Sequence, residues 1–297
     1  MKRFALALVC ACVAFFAHGR RVERVTLASL DRSPEGIAVM LDALLLLPQG
    51  KAPVGGHPAI IALHGCGGMY SKRKGRENAL AERLALRADP LLADGYAVLF
   101  VDSFRSRGIE QVCTIGHGER TVKIAQRRQD ALAALSYLAM RRDIARERIA
   151  LLGWSHGGST ALQAVGARNR VRAEPFFRGA VAFYPGCKSA LDAGSRYRPG
   201  APTRIHIGER DDWTPAATCV ALGNSMAARN EDLLVTTYAD SYHAFDSPAG
   251  TLVHRTDVPN GVHPGEGVHV GPNAVAREAA NASVRAFLRE RLAPAQP

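Results

Sequence analysis

Several features that mark whole classes of proteins are missing from this chain of 297 residues. Its 28 glycines and 16 prolines recur at no fixed interval, which excludes a collagen-like chain. A hydrophobic share of 47% against 22% charged residues excludes intrinsic disorder, because such a chain can bury a core. We find no C-x-x-C pair, no phosphate-binding glycine loop, no internal repeat and no low-complexity stretch. No metal, nucleotide or flavin cofactor is therefore indicated.

One apolar run alone resembles a membrane segment, and it lies at the N-terminus. Two basic residues precede apolar residues 4–17, and Ala17 and Gly19 are small residues where signal peptidase reads the chain. The run is shorter than the ~20 residues that a transmembrane helix needs. We expect residues 1–19 to be a signal peptide and residues 20–297 to form a single exported domain, periplasmic or extracellular, without stable membrane insertion. An uncleaved N-terminal anchor is the alternative.

Positive charge exceeds negative charge, with 38 lysines and arginines against 27 aspartates and glutamates and a net charge of +11. The basic residues are scattered, and no aromatic residues alternate with them as in nucleic-acid-binding motifs. We expect no nucleic-acid partner. The surplus is instead expected to keep the protein soluble.

Short apolar runs alternate with helical patterns, which is typical of βαβ units around a mostly parallel sheet. The pattern predicts eight strands, at residues 22–30, 37–47, 59–63, 96–101, 148–152, 179–183, 203–207 and 233–238. It predicts helices at residues 77–92, 119–140, 156–167, 216–229 and 273–292. The expected fold is α/β, with an antiparallel pair of strands first, six parallel strands after it and helices on both faces. Residues 247–272 lack periodicity and are expected to form an irregular loop.

A G-x-S-x-G element at residues 153–157 lies between a predicted strand and a predicted helix. Glycines two positions before and two positions after Ser155 allow the sharp turn that lifts a serine hydroxyl above a sheet. The helix N-terminus beneath it favours developing negative charge. This context predicts that Ser155 is a nucleophile. An ordinary serine in a tight strand-to-helix turn is the alternative.

A serine nucleophile needs a histidine base and an acid that orients the histidine. In folds with this element the acid and then the histidine follow the serine, each after a strand. The segment after the strand at 203–207 contains Asp211 and Asp212, which are the candidate acids. His243 follows the next strand and is the predicted base.

The other histidines fit these roles less well. His64 and His156 precede the acid in the chain. His263 and His269 could hold a metal ion together with Asp257, but their spacing matches no ligand motif. We therefore predict no metal site.

The negative charge that forms on an attacked carbonyl oxygen is stabilised by two backbone N–H groups. One is expected from His156, directly after the nucleophile. The other is expected from Cys66, in the glycine-rich loop at residues 64–68, where glycines leave room for a substrate to approach the backbone.

At these positions the sequence resembles the dienelactone hydrolase family of α/β hydrolases. The matching motifs, in chain order, are His64-Gly65-Cys66-Gly67-Gly68, Asp102-Ser103-Phe104, Gly153-Trp154-Ser155-His156-Gly157-Gly158, Phe183-Tyr184-Pro185-Gly186-Cys187, Gly208-Glu209-Arg210-Asp211-Asp212-Trp213 and His243-Ala244-Phe245. The resemblance implies an α/β-hydrolase fold, an esterase-type activity and the triad Ser155, Asp211 and His243. It favours Asp211 over Asp212 because Asp211 stands three residues after Gly208, as the family's acid does.

Two positions depart from the family. Its namesake enzymes use a cysteine nucleophile governed by a glutamate in the first oxyanion loop, whereas this chain has Ser155 and no glutamate at residues 64–68. We expect a serine-dependent hydrolase of a small-molecule ester or lactone other than dienelactone. One alternative is a peptidase of the prolyl-oligopeptidase type, although no propeller domain is recognisable. The other is a non-catalytic envelope binding protein of the same fold.

The order of the predicted strands also suggests how four cysteines pair. Cys187 and Cys219 follow neighbouring strands of the parallel sheet, and so do Cys66 and Cys113. Connections after neighbouring parallel strands lie side by side at one edge of a sheet. We expect disulfides between Cys66 and Cys113 and between Cys187 and Cys219, as an exported protein permits. A free thiol at Cys66 is the alternative to the first pair.

Overall fold

A computed structural model describes residues 21–33, 35–170 and 175–294. The predicted signal peptide, residues 1–19, lies outside the described residues. None of the described helices combines the length and the apolar character that crossing a bilayer requires.

The first eight strands form one sheet. They are β1 Arg21–Arg32, β2 Ala38–Leu47, β3 His57–Leu63, β4 Ala97–Val101, β5 Ile144–Trp154, β6 Ala180–Phe183, β7 Thr203–Gly208 and β8 Leu233–Tyr238. Their order is β1-β2-β4-β3-β5-β6-β7-β8. β2 is antiparallel to both β1 and β4, and every other pair is parallel. The predicted α/β class and mostly parallel eight-stranded sheet are confirmed.

Helices cover both faces of this sheet. They are α1 Glu82–Ala93, α2 Ile124–Ala139, α3 His156–Ala164, α4 Lys188–Asp192, α5 Ala216–Ala227 and α6 Ala274–Arg291. Alternate residues of a strand point to opposite faces, and in β3 Ile60 belongs to the apolar layer that includes residues of α1, α5 and α6, whereas Ile61 belongs to the layer that includes residues of α2. All of β4 is buried, so the sheet is the centre of two apolar layers.

Several predicted elements differ from the structure, including the helix expected from residue 119, which begins at Ile124. The helix expected from residue 77 begins only at Glu82, because residues 70 and 80 form an antiparallel bridge that keeps this stretch extended. The short helix α4 was missed. The loop at residues 247–272 is not wholly irregular, since it contains a two-stranded antiparallel sheet of β9 Val253–Arg255 and β10 Val268–Val270. Strands of three residues are too short to show an alternating pattern.

Two disulfides join connections at the edge of the sheet where the parallel strands end. One links Cys66, after β3, to Cys113, after β4. The other links Cys187, after β6, to Cys219 in α5, the helix that follows β7. These are the two pairs that the strand order suggests. Each disulfide joins two of the connections at the edge of the sheet where the site described next is found.

Candidate active site

Ser155 lies at a sharp turn between β5 and α3. Its backbone is strained, with φ 54° and ψ −117°, a conformation that non-glycine residues rarely adopt. A Cβ atom on Gly153 would lie 2.2 Å from the carbonyl oxygen of Gly157, and one on Gly157 would lie 2.0 Å from that of Leu63. Both glycines are therefore required sterically, because the turn brings backbone against backbone.

The structure brings Ser155, His243 and Asp211 together. His243 Nε2 lies 3.0 Å from Ser155 Oγ, and His243 Nδ1 lies 2.9 Å from Asp211 Oδ2. A carboxylate can only accept, so Nδ1 carries the proton and Nε2 is free to accept one from the serine hydroxyl. His243 and Asp211 are buried, whereas Ser155 is half-buried and faces a cavity. This arrangement can activate the serine as a nucleophile.

The Asp211 carboxylate is fixed by the backbone that follows it. Its Oδ1 accepts hydrogen bonds from the backbone N–H groups of Trp213, at 3.0 Å, and Thr214, at 2.8 Å. The hydroxyl of Thr214 lies 3.0 Å from Oδ2. With its carboxylate held in this turn, Asp211 determines the orientation of the His243 ring.

Asp212 points away from His243 and anchors the β9–β10 segment. Its Oδ1 accepts from the backbone N–H of His269 at 2.8 Å, and its Oδ2 lies 2.6 Å from Nδ1 of the same residue. The carbonyl oxygen of Asp212 accepts from the backbone N–H of Val262 at 2.8 Å. Of the histidines and the aspartate considered above as metal ligands, His269 is thus bound to Asp212. Asp257 is paired with Arg255.

The two expected oxyanion-hole residues border the same space as Ser155. His156 opens α3, so its backbone N–H has no acceptor within the helix. Cys66 is held from two sides, by its disulfide to Cys113 and by a 2.8 Å hydrogen bond from the backbone N–H of Val112 to its carbonyl oxygen. Ser155, His156 and Cys66 line one cavity of about 390 Å³. A second cavity of about 510 Å³ also reaches Ser155 and Cys66, with Trp213 and His243 in its wall.

A buried arginine, which the sequence analysis missed, links the two oxyanion loops. Arg127 of α2 is fully buried, and its guanidinium donates to the carbonyl oxygen of His64 and to Nδ1 of His156, both at 2.7 Å. Burial holds the pKa of His156 well below its usual range, so its ring is neutral and can accept this bond. Burial also lowers the pKa of Arg127 to about 10, which leaves it charged near neutral pH. Its one sequence signal is its spacing: Arg127 shares the helix face of the buried residues Ala131 and Ala134.

A second missed residue, Asp246, holds the other side of the site. Its carboxylate accepts from Trp154 Nε1 at 2.9 Å and from the Tyr184 hydroxyl at 2.7 Å, and it is also paired with Arg87. The Tyr184 ring in turn packs on His243, with 4.5 Å between ring centroids. Burial raises the pKa of Tyr184, so its hydroxyl stays a donor. Asp246 therefore ties the end of β5 to the wall beside the His243 ring.

The chain matches a known family profile and is similar in fold to solved structures. The profile described as the dienelactone hydrolase family matches residues 41–292. A Klebsiella pneumoniae protein described as a dienelactone hydrolase is similar in structure, with a TM-score of 0.63 and 15% identity over 91% of this chain and 99% of that chain. Esterase 2 of Thermogutta terrifontis is similar with a TM-score of 0.61 and 17% identity, over 93% of this chain and 97% of that chain.

Part of a larger enzyme is similar as well. Dipeptidyl peptidase 4 of Porphyromonas gingivalis matches with a TM-score of 0.57 and 18% identity, over 76% of this chain but only 33% of that chain. A comparison with curated protein sequences gives no match. At such identities the structural similarities establish the fold, which is the α/β-hydrolase fold expected from the sequence.

Proposed function

Because the chain belongs to the dienelactone hydrolase family, we propose that it hydrolyses a small carboxylic ester or lactone through an acyl group carried on Ser155. Membership in this family makes the chain an ester-bond hydrolase. The observation that carries the proposed mechanism is the position of His243, with one ring nitrogen 3.0 Å from Ser155 Oγ and the other 2.9 Å from Asp211.

The proposed reaction has two halves. His243 Nε2 takes the proton of Ser155 as Oγ attacks the carbonyl carbon, and the negative oxygen that forms accepts from the backbone N–H groups of Cys66 and His156. His243 then gives its proton to the leaving alcohol oxygen. Water, deprotonated by the same nitrogen, releases the acyl group and restores the serine. Asp211 stabilises the histidine cation in both halves.

Two alternatives are less well supported. The similarity to a dipeptidyl peptidase is one of fold alone, and this chain covers 33% of that enzyme. A non-catalytic binding protein has no need of the strained backbone at Ser155, with φ 54°, or of the two hydrogen bonds made by His243. Esterase activity accounts for both features.

We also propose that the protein is exported. The basic and apolar N-terminal pattern supports export, as do two disulfides at the edge of the sheet. Disulfides form and persist mainly in oxidising compartments such as the periplasm and the cell exterior.

Covalent labelling tests the nucleophile directly. Esterase 2 of Thermogutta terrifontis, similar in fold, has been described as phosphorylated by paraoxon. We expect paraoxon to modify this protein once, at Ser155, as read by peptide mass spectrometry. Ser155→Ala should abolish the modification, and Ser225→Ala, a serine of α5 away from the site, should keep it. Labelling of Ser155→Ala at the wild-type rate would contradict the assignment.

Ester hydrolysis tests the triad as a unit. Ser155→Ala and His243→Ala should each lower kcat on a p-nitrophenyl ester by at least ~10³, and the double variant should lose little more, because triad members act together. Losses that multiply in the double variant would show that the two residues act independently.

A further inference from the structure

A cavity next to the proposed active site has a wall rich in positive charge. It has a volume of about 420 Å³ and shares five lining residues with the cavity of about 390 Å³ that contains Ser155. The shared residues are His117, Arg120, His156, Ser159 and Gly186. The two cavities are therefore parts of one groove that leads away from the nucleophile.

Four cationic side chains line the far cavity, and no carboxylate does. They are Arg120, Lys123, Arg128 and Arg168. Within the part of the chain that the structure describes, none of the four forms an ion pair. The acid-free wall continues into the nearer cavity, whose lining adds Lys188 and again contains no aspartate or glutamate.

Arg120 and Arg128 are buried or half-buried in this wall, whereas Lys123 and Arg168 are exposed. Arg120 is 7% exposed, and its Nε donates a hydrogen bond to the carbonyl oxygen of Ile115. Arg128 is half-buried, and its Nε is buried without a hydrogen-bond partner in the described structure. Burial lowers the pKa of both arginines, and the charge of Arg168 lowers that of Arg128 further. A buried cation without an acidic partner is costly to a folded protein.

Other arginines of this protein do have acidic partners. Arg107 pairs with Asp31 and Asp130, and Arg285 pairs with Asp94. What is particular to the far cavity is that four cations without an acidic partner in the described structure line one space whose wall contains no carboxylate.

The backbone adds to the positive electrostatic potential of the far cavity. The far cavity also includes Ile124 and Ala125, the first two residues of the 16-residue helix α2. The N–H groups of a first helical turn have no acceptor within the helix, and the helix dipole is positive at this end. Side chains and backbone together make this end of the groove suited to an anion.

We propose that the substrate carries a group with at least two negative charges, such as a phosphate or a pair of carboxylates, which binds in the cavity of Arg120, Lys123, Arg128 and Arg168 while its ester carbonyl lies at Ser155. This inference rests on the proposed ester hydrolysis. Four cations exceed what one carboxylate neutralises, and this is why the proposal names a multiply charged group.

Three esters that differ only at the end of the acyl chain test the inference. They are the p-nitrophenyl monoesters of pentanoic acid, of adipic acid and of 5-phosphonopentanoic acid, whose chain ends carry zero, one and between one and two negative charges at pH 8. At constant ionic strength we expect kcat/KM to rise along the series, by about tenfold or more between the first and the last. The preference should weaken as salt is added.

Charge-removing variants show whether the cavity causes the preference. In Arg128→Gln/Arg168→Gln the ratio of kcat/KM between the phosphonate and the neutral ester should fall towards one. Arg178→Gln/Arg289→Gln removes two exposed arginines that line neither cavity, and it should keep the ratio. Arg128→Lys/Arg168→Lys should keep most of it. Because each ratio uses the neutral ester as reference, a general loss of activity cancels.

Calorimetric titration with inorganic pyrophosphate examines the cavity without turnover. Wild type should bind it, and Arg128→Gln/Arg168→Gln should bind at least about tenfold more weakly. Pyrophosphate binding without preference for the charged acyl group would assign the anion to the alcohol side. The inference would be overturned if the protein showed neither pyrophosphate binding nor a preference for the charged acyl group. It would also be overturned if the preference survived in Arg128→Gln/Arg168→Gln. Failure to hydrolyse any of the three esters would instead contradict the proposed function.

Discussion

Two aspartates that are adjacent in the sequence, Asp211 and Asp212, contact different histidines and so have different roles. Asp211 faces His243 Nδ1 at 2.9 Å, whereas Asp212 faces His269 Nδ1 at 2.6 Å. Both are acids in the same turn after β7, so residue type alone does not distinguish them. The direction of each side chain decides which histidine it meets.

Asparagine substitutions should separate these roles. Asp211→Asn should lower kcat by about 10³ to 10⁴, because an amide neither holds the required tautomer nor stabilises the histidine cation. Asp212→Asn should leave kcat within a few-fold of wild type, but should make residues 247–272 easier to cleave in limited proteolysis. The reverse ranking of the two kcat values would transfer the role of acid to Asp212.

Arg127 is the residue whose removal should affect both proposed oxyanion donors. Arg127→Met leaves the His64 carbonyl oxygen and the His156 ring without their buried donor, and each unsatisfied group costs about 1–3 kcal/mol. For Arg127→Met we expect a lower free energy of unfolding, measured in urea. We also expect kcat to fall by a larger factor than the factor by which KM changes.

The conservative variant Arg127→Lys provides the control. Lysine keeps the charge but cannot reproduce the two-pronged contact of a guanidinium, so its kcat should lie between those of wild type and Arg127→Met. A normal kcat in Arg127→Met, measured well below its Tm, would limit Arg127 to a role in stability.

At the scale of elements, the two disulfides join similar connections but differ in what they hold. They span sequence separations of 47 and 32 residues, and in the chain-entropy model loops of this size contribute about 4 kcal/mol each. Removing either disulfide should therefore lower Tm. Only the first holds Cys66, a proposed oxyanion donor.

Paired serine variants test this difference. Cys66→Ser/Cys113→Ser should lower both Tm and kcat, because the loop that bears the backbone N–H of residue 66 loses its covalent support. Cys187→Ser/Cys219→Ser, its matched control, should lower Tm and leave kcat closer to wild type. Equal kcat values for the two double variants at a temperature where both are folded would argue against a positioning role for the first disulfide.

At the scale of the whole molecule, buried neutral histidines make stability depend on pH. Burial holds the pKa of His64 and of His156 well below the usual range, and it lowers the pKa of His206 to about 4. In the unfolded chain a histidine titrates near ~6.5. As pH falls below this value the unfolded state binds protons that the native state does not, so the native state loses stability.

We therefore expect the free energy of unfolding to be highest above pH ~6.5 and to fall between there and pH ~4. His206 alone accounts for about 3 kcal/mol of this loss, on the shift of its pKa to about 4. Urea unfolding at several pH values measures the slope, and His206→Phe should make it shallower. A free energy of unfolding that stays constant over this range would contradict the neutral state of these side chains.

The local features of this protein follow from its sequence because they depend on near neighbours. The turn at Ser155 requires Gly153 for a local steric reason, since a Cβ there would meet the backbone of Gly157, four residues away. Apolar runs determine which segments become strands, and the handedness and order of βαβ units then bring the ends of β5, β7 and β8 to one edge of the sheet. This explains why Ser155, Asp211 and His243 could be proposed in advance.

Only the tertiary structure decided the contacts between segments that lie far apart in the chain. Arg127 reaches His64 across 63 positions, and Trp154 reaches Asp246 across 92 positions. The β9–β10 pair and its anchor at Asp212 are of the same kind. Such contacts depend on how α2 and the long loop pack on the finished sheet, and a buried charge leaves little trace in the sequence when its partner is a distant carbonyl oxygen or ring nitrogen.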